Sequence, residues 1–192
     1  PEVFSSLTDY DALRRPVRLT NEHDGSVIEP SYNEANLLES MAVRVRGGAV
    51  QTFIKNIDYD AKGQRVLIRY GSDVETAYRY DPKTFRLSSL TTTTPAAPAP
   101  LQGLRYTYDP VGNVTELVDA AQPDIYFANA LILPTMKFRY DALYRLIRAE
   151  GREHRGAGVS PQPEYDWNDE FRVSLPHPND GQKLRSYTEQ YT

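Results

Sequence analysis

A tyrosine followed directly by aspartate or asparagine recurs along the chain at Tyr10-Asp11, Tyr32-Asn33, Tyr59-Asp60, Tyr80-Asp81, Tyr108-Asp109, Tyr140-Asp141 and, more loosely, Tyr165-Asp166. Successive pairs are 21 to 32 residues apart. A period of that size marks an array, in which each unit buries its face against its neighbours. The repeats run through all 192 residues, so one continuous repeat structure is the simplest reading.

The unit is legible at residues 65–80, "RVLIRYGSDVETAYRY". Val66, Ile68 and Tyr70 alternate with Arg65, Leu67 and Arg69; after Gly71-Ser72-Asp73, Val74, Thr76, Tyr78 and Tyr80 alternate with Glu75, Ala77 and Arg79. A period of two broken by a short polar turn predicts a β-hairpin with one apolar face. Residues 104–118 predict a second, in which Leu104, Tyr106 and Tyr108 lead into Asp109-Pro110-Val111-Gly112. The chain holds 14 Tyr against 6 Phe and 1 Trp, and tyrosine suits pleated, half-buried surfaces. The fold class is therefore all-β, built of stacked antiparallel hairpins.

The turn explains why an acid follows the aromatic ring. In a type I turn an aspartate at the first position accepts from backbone N–H groups ahead of it, proline fits the second, and glycine suits the left-handed residue that closes the bulge. Gly63 and Gly112 stand in that glycine slot, and Asn36 is an acceptable substitute. Arg14, Thr84 and Tyr144 occupy it elsewhere, and a β-branched Thr84 would be strained there. Half of the repeats are therefore expected to turn differently.

The stretches "YDPVGNVTELVD" (108–119), "YDAKGQRVLIRYG" (59–71) and "FRYDALYRLIRAEGREH" (138–154) resemble the Rhs or YD-repeat family. The last of these is similar to the repeat region of the B and C components of bacterial insecticidal toxin complexes. The resemblance implies a β-sheet spiralling into a hollow shell that encloses and protects an effector polypeptide. It implies as partners other repeat segments of the same or a companion toxin subunit, and an extracellular location as part of a larger bacterial toxin. The sequence has no "DPLGL"-type core, at which family members cleave themselves, and no Glu-x-Glu pair of the ADP-ribosyltransferase tails that some relatives carry. Pro1 in place of Met and the ending "RSYTEQYT" (185–192) are expected marks of an excerpt cut before a further repeat.

Other function classes fare less well. The 22 basic and 26 acidic residues are interspersed, whereas nucleic acid or an anionic membrane calls for a basic stripe. No apolar run reaches the roughly 20 residues that span a bilayer. The chain has no Cys, and His23, His154 and His177 lack the paired spacing of metal ligands. Asp166, Asp169 and Glu170 lack the alternating ligands and fixed glycine of a calcium loop and read as a solvated turn. No nucleophile elbow occurs, and Gly156-Ala157-Gly158 leads to Pro161 rather than to a helix. The missing motifs leave no candidate catalytic or cofactor site, and the resemblance implies a non-catalytic wall segment that needs no cofactor. The rival reading is a binding module whose Tyr106, Tyr108, Tyr126 and Tyr140 form a stacking platform for glycans or a cell-surface protein.

Loops are expected near 91–100 and 151–166, which are rich in proline and small residues. The hydroxyls of "SSLTTTT" (88–94) read as part of the first. A short helix is the local expectation for 33–43, where Asn33 would cap and Leu37, Leu38 and Met41 would share a face; the family resemblance makes the same residues a turn and a strand.

Overall fold

The computed structural model describes residues 5–127, 129–154 and 184–192, and among these there is no helix. Tyr165-Asp166, the acidic cluster, Gly156-Ala157-Gly158 and His177 lie outside them. The chain divides into two units, residues 1–80 with 90–101, and residues 81–89 with 102–192.

The first unit is a run of antiparallel strands in chain order, β1 (Ser6–Tyr10), β2 (Pro16–Asn21), β3 (Ser26–Tyr32), β4 (Leu38–Arg44), β5 (Val50–Tyr59), β6 (Arg65–Tyr70) and β7 (Glu75–Tyr80). Strand β8 (Leu87–Thr93) begins in the second unit and ends in the first. In the second unit, β9 (Gln102–Tyr108), β10 (Val114–Asp119), β13 (Thr135–Tyr140), β14 (Leu146–His154) and β15 (Leu184–Gln190) pair antiparallel in that order. Between β10 and β13 a separate hairpin, β11 (Ile125–Phe127) and β12 (Ala130–Ile132), is inserted. Ile132 is buried in this arm, whose base is held by Arg152 Nη1 donating to the Pro123 carbonyl at 3.1 Å.

The alternation read at 65–80 becomes the two faces of the hairpin. Ile68 and Thr76 are directly opposed across β6 and β7, and each is 4% exposed; Ile57 of β5 opposes Ile68 from the other side and is also buried. On the opposite face Arg69 bridges Asp58 at 3.3 Å and Glu75 at 3.0 Å. These half-exposed pairs contribute little, so the apolar row carries the stability.

Three local expectations are corrected. Residues 33–43 are a turn and strand β4, because Asn33 Oδ1 accepts from the Ala35 and Leu37 N–H groups and closes a turn instead of capping a helix, while β3 and β5 take up the backbone of β4. Residues 88–93 belong to β8, where the Thr92 hydroxyl bonds the buried Thr76 hydroxyl at 3.0 Å; the loop starts at Thr94. Residues 151–154 belong to β14, pairing with β15 from Tyr187 to Leu184. Gly151 is tolerated in that strand because the Tyr187 ring covers the space a Cβ would fill, as close as 2.8 Å.

Gly71 has a different task from the one its turn position implies. The left-handed residue of that turn is Asp73, with φ of 64°. Gly71 instead lies flat against β5: its N–H donates to the Phe53 carbonyl at 2.9 Å, and a Cβ would sit 1.7 Å from the Thr52 carbonyl oxygen.

Candidate functional site at the tyrosine-aspartate corners

Each Tyr-Asp pair within the described residues ends one strand and opens the turn into the next. At Asp11, Asn33, Asp60 and Asp141 the Oδ1 atom accepts from the N–H groups two and four residues on, at 2.8–3.0 Å. Asp109 Oδ1 accepts instead from Gly112 and Asn113. Around these contacts the main chain closes the same ring: the N–H of the acid or amide donates to the carbonyl four residues ahead, and its carbonyl accepts from the N–H three residues ahead. One short side chain thereby satisfies donors that a bare turn would leave to solvent.

The residue three positions after the tyrosine's neighbour carries positive φ: Arg14 (59°), Asn36 (64°), Gly63 (77°), Gly112 (114°) and Tyr144 (61°). Five corners thus share one turn, and the expectation that half would differ is overturned. The carboxylate bonds and strand pairing hold Arg14 and Tyr144 in a region that costs an L-residue roughly 1–2 kcal/mol. Only the corner at Asp81 departs. It has one more residue, so its main-chain ring closes on Arg86, and the left-handed residue becomes Phe85 (59°) in place of the β-branched Thr84. Thr84 instead gives both its N–H and its hydroxyl to Asp81 Oδ1. Because asparagine tolerates this region, Tyr144→Asn is expected to raise the unfolding free energy by about 0.5–1 kcal/mol, read by urea denaturation.

The tyrosine does not serve its own turn. Tyr32 donates its hydroxyl to the Pro16 carbonyl, Tyr59 to Leu38, Tyr80 to Arg65, Tyr108 to Leu87 and Tyr140 to Val114, at 2.7–3.0 Å. These acceptors are the first residues of β2, β4, β6, β8 and β10. Every such phenol therefore latches the strand that leaves the preceding corner. Burial pushes the phenols of Tyr59, Tyr80 and Tyr108 above their ordinary pKa. Stability tied to these protons is complete below about pH 10 and is lost only as pH rises through the raised values.

The side chain that closes each turn, four residues after the acid, was not among the sequence candidates. Arg15 and Arg145 each donate Nε to the free carboxylate oxygen, Asp11 and Asp141 Oδ2, at 2.7 Å, and Asn113 Nδ2 does the same to Asp109 at 2.8 Å. Arg15 also reaches onward to the next corner, with its guanidinium 4.8 Å from the Tyr32 ring centre and Nη1 donating to Asn36 Oδ1 at 2.8 Å. Arg86, in the equivalent place before β8, lies 5.7 Å from the Tyr108 ring and donates to the Asp109 and Pro110 carbonyls. The signal that could have found them is the near-duplicate "YDALRR" (10–15) and "YDALYR" (140–145), where Arg is the other fixed residue.

Bonds from their own turns, led by the N–H of Arg15, Thr84 and Arg145 respectively, hold Asp11, Asp81 and Asp141 below the usual carboxylate range. A lowered folded-state pKa contributes stability above the unfolded value, and that contribution disappears as pH falls through the folded one. The urea midpoint is therefore expected to be level from pH 7 to about 5 and to drop below about pH 4. Replacing these three aspartates by asparagine, which Asn33 shows can close the turn, should flatten that drop.

The tyrosines proposed as a stacking platform divide. Tyr106 and Tyr108 are stacked with centres 6.4 Å apart, but Tyr108 and Tyr140 are latches, and Tyr126 stands 71% exposed on the inserted arm. His23 lies in the turn between β2 and β3, its N–H donating to Asn21 Oδ1, and His154 ends β14. Among the described residues, no three His, Asp or Glu side chains gather as a metal site.

The chain that carries these corners is similar over its whole length to known proteins. The sequence is 33% identical over 199 residues to toxin subunit YenC2 of Yersinia entomophaga, an alignment that takes in 100% of this chain and 19% of that protein. In the crystal structure of TcdB2-TccC3-Cdc42, a region equal to 9% of the matched chain superposes on all of this one, with a TM-score of 0.77 and 32% identity. Over its whole length the chain is related in sequence and fold to toxin-complex subunits, consistent with its resemblance to the YD-repeat family. Toxin subunit YenC1 of the same organism is 34% identical over 157 residues, or 80% of this chain and 16% of its own length. A Photorhabdus luminescens Tc holotoxin pore matches 98% of this chain and 8% of its own, with the same TM-score of 0.77. The chain thus spans less than a fifth of the curated relatives it matches. No protein-family model matches it.

Proposed function

We propose that this YD-repeat segment is a non-catalytic piece of wall in a larger extracellular toxin, where it helps to enclose and protect an effector polypeptide. The observation that carries the reading is the division of labour at the corners. The acid closes its own turn and the tyrosine ties that corner to the one before it, so the recurring side chains are spent on continuity of the sheet. Among the described residues, β1 pairs only with β2 and β15 only with β14, which leaves a row of backbone donors and acceptors at each outer edge. Exposed rows of this kind recruit further strands, and other repeat segments of the same or a companion subunit are the matching partners. Relatives that are toxin subunits support the setting.

The test excises one repeat from the parent toxin, residues 60–80, so that Tyr59 is followed by Asp81 and a Tyr-Asp corner is kept. Secreted, soluble toxin with the excision should lose its effector to added protease several-fold faster than the intact protein. Equal protection in both would refute enclosure by this segment.

A further inference from the structure

Two arginines stand directly opposite one another in the second unit. Arg139 of β13 faces Arg148 of β14, and Arg148 in turn faces Gln190 of β15. Like charges placed opposite across an antiparallel pair are destabilising unless something lies between them. Arg148 is only half answered. Its Nη2 donates to Glu150 Oε1, yet its Nε is shielded from solvent and has no partner. Buried donors are almost always paired, so a guanidinium with one left over is short of an acceptor. Arg139 is exposed and, among the described residues, has neither an ion pair nor a hydrogen bond.

The rest of this face does not supply the missing charge. Cross-strand neighbours and every second residue share a face, which places the four cations Lys137, Arg139, Arg148 and Arg152 with the two carboxylates Glu116 and Glu150. Lys137 lies 4.0 Å from Glu116, Arg148 is bonded to Glu150, and Arg152 donates to the Pro123 carbonyl. Uncompensated charge therefore remains at Arg139, beside an Arg148 with a donor to offer.

We infer that Arg139 and Arg148 form a seat for a phosphate-type oxyanion. Each guanidinium carries forked N–H donors that match phosphate oxygens, and an anion between them turns one repulsion into two attractions. The two forks stand on neighbouring strands, and Arg148 already holds one carboxylate. A tetrahedral dianion has oxygens for both forks, whereas the coplanar oxygens of a further carboxylate fit only one. The dianion also offsets the excess of cations over carboxylates on the face. Arg148 is 36% exposed, so a small anion reaches it, and a turn of its side chain brings Nε to the ion. The phosphate is either the free ion or the end group of a larger molecule. The seat lies on the strands, away from the corners, and stands apart from the question of enclosure.

The experiment titrates the chain with inorganic phosphate at about pH 8, where phosphate is mostly a dianion, against chloride at matched ionic strength. Phenyl phosphate forms a second arm. The Arg139 and Arg148 side-chain NMR resonances are expected to shift to saturation with a midpoint of about 1 mM. Phosphate at about 10 mM should raise the thermal midpoint by about 3–6 °C over chloride. Phenyl phosphate binding at least as tightly as the free ion would place the phosphate on a larger molecule; weaker binding would make the free ion the occupant. Arg139→Gln should weaken binding about ten-fold or more. Arg105→Gln removes the same charge from an exposed position on the same face and should leave binding within about two-fold. Without phosphate, Arg139→Gln should match or exceed the parent's thermal midpoint, because the repulsion is gone. Shifts that rise linearly, or that survive Arg139→Gln, would reduce the effect to ionic screening and overturn the seat. A lower phosphate-free midpoint in Arg139→Gln would overturn it too, by showing that Arg139 already serves the sheet.

Discussion

Phenylalanine in place of Tyr32, Tyr59, Tyr80, Tyr108 and Tyr140 together is expected to lower the unfolding free energy by about 5 kcal/mol, enough to unfold a marginal β-protein at room temperature. Each change keeps the ring and removes one hydroxyl, so the half-buried packing survives and only the latch is lost. One hydrogen bond contributes about 1 kcal/mol net, and sites a full repeat apart share no partner and should add. The exposed Tyr10 makes no such bond among the described residues, and Tyr10→Phe should stay within about 0.5 kcal/mol of the parent. Urea unfolding of the single and combined variants measures both. Near-parent stability of the five-fold variant would mean that the latches are geometry without energy.

Gly71→Ala is the single substitution with the largest expected loss, about 3 kcal/mol or more. The added methyl would stand 1.7 Å from the Thr52 carbonyl oxygen, and a backbone atom paired within a sheet cannot swing aside as a side chain does. Relief requires β5 to move away from the β6–β7 turn, which sacrifices the Gly71 N–H bond to the Phe53 carbonyl. Gly25 offers the contrast. It is left-handed at 71° with open space around it, so Gly25→Asn should cost under about 1 kcal/mol. Comparable losses at the two glycines, measured by thermal unfolding, would show that conformation and not crowding sets the requirement at Gly71.

Much of this was legible from local chemistry. Alternation at 65–80 located both strands and their buried face, and the Tyr-Asp spacing located each corner, because a turn's carboxylate bonds lie within four residues of one another. The same locality misled where a short pattern fits two structures. Asn33 with Leu37, Leu38 and Met41 satisfies a helix as well as a turn and strand, and the choice fell to the neighbouring strands β3 and β5. The threonines of β8 look like a solvated loop until the hydroxyl of Thr92 meets that of buried Thr76 from another strand.

The amino-acid sequence by itself determined the class, the period and the turn residue, since each is set by interactions between near neighbours in the chain. Only the tertiary structure decided the partner of each tyrosine, because the accepting carbonyl lies 15 to 26 residues back and carbonyls carry no sequence signature. It also decided that Gly71 answers to crowding and that left-handed strain could rest on Arg14 and Tyr144. Such positions are fixed by strands pairing from either side, and that pairing exists only once the sheet has formed.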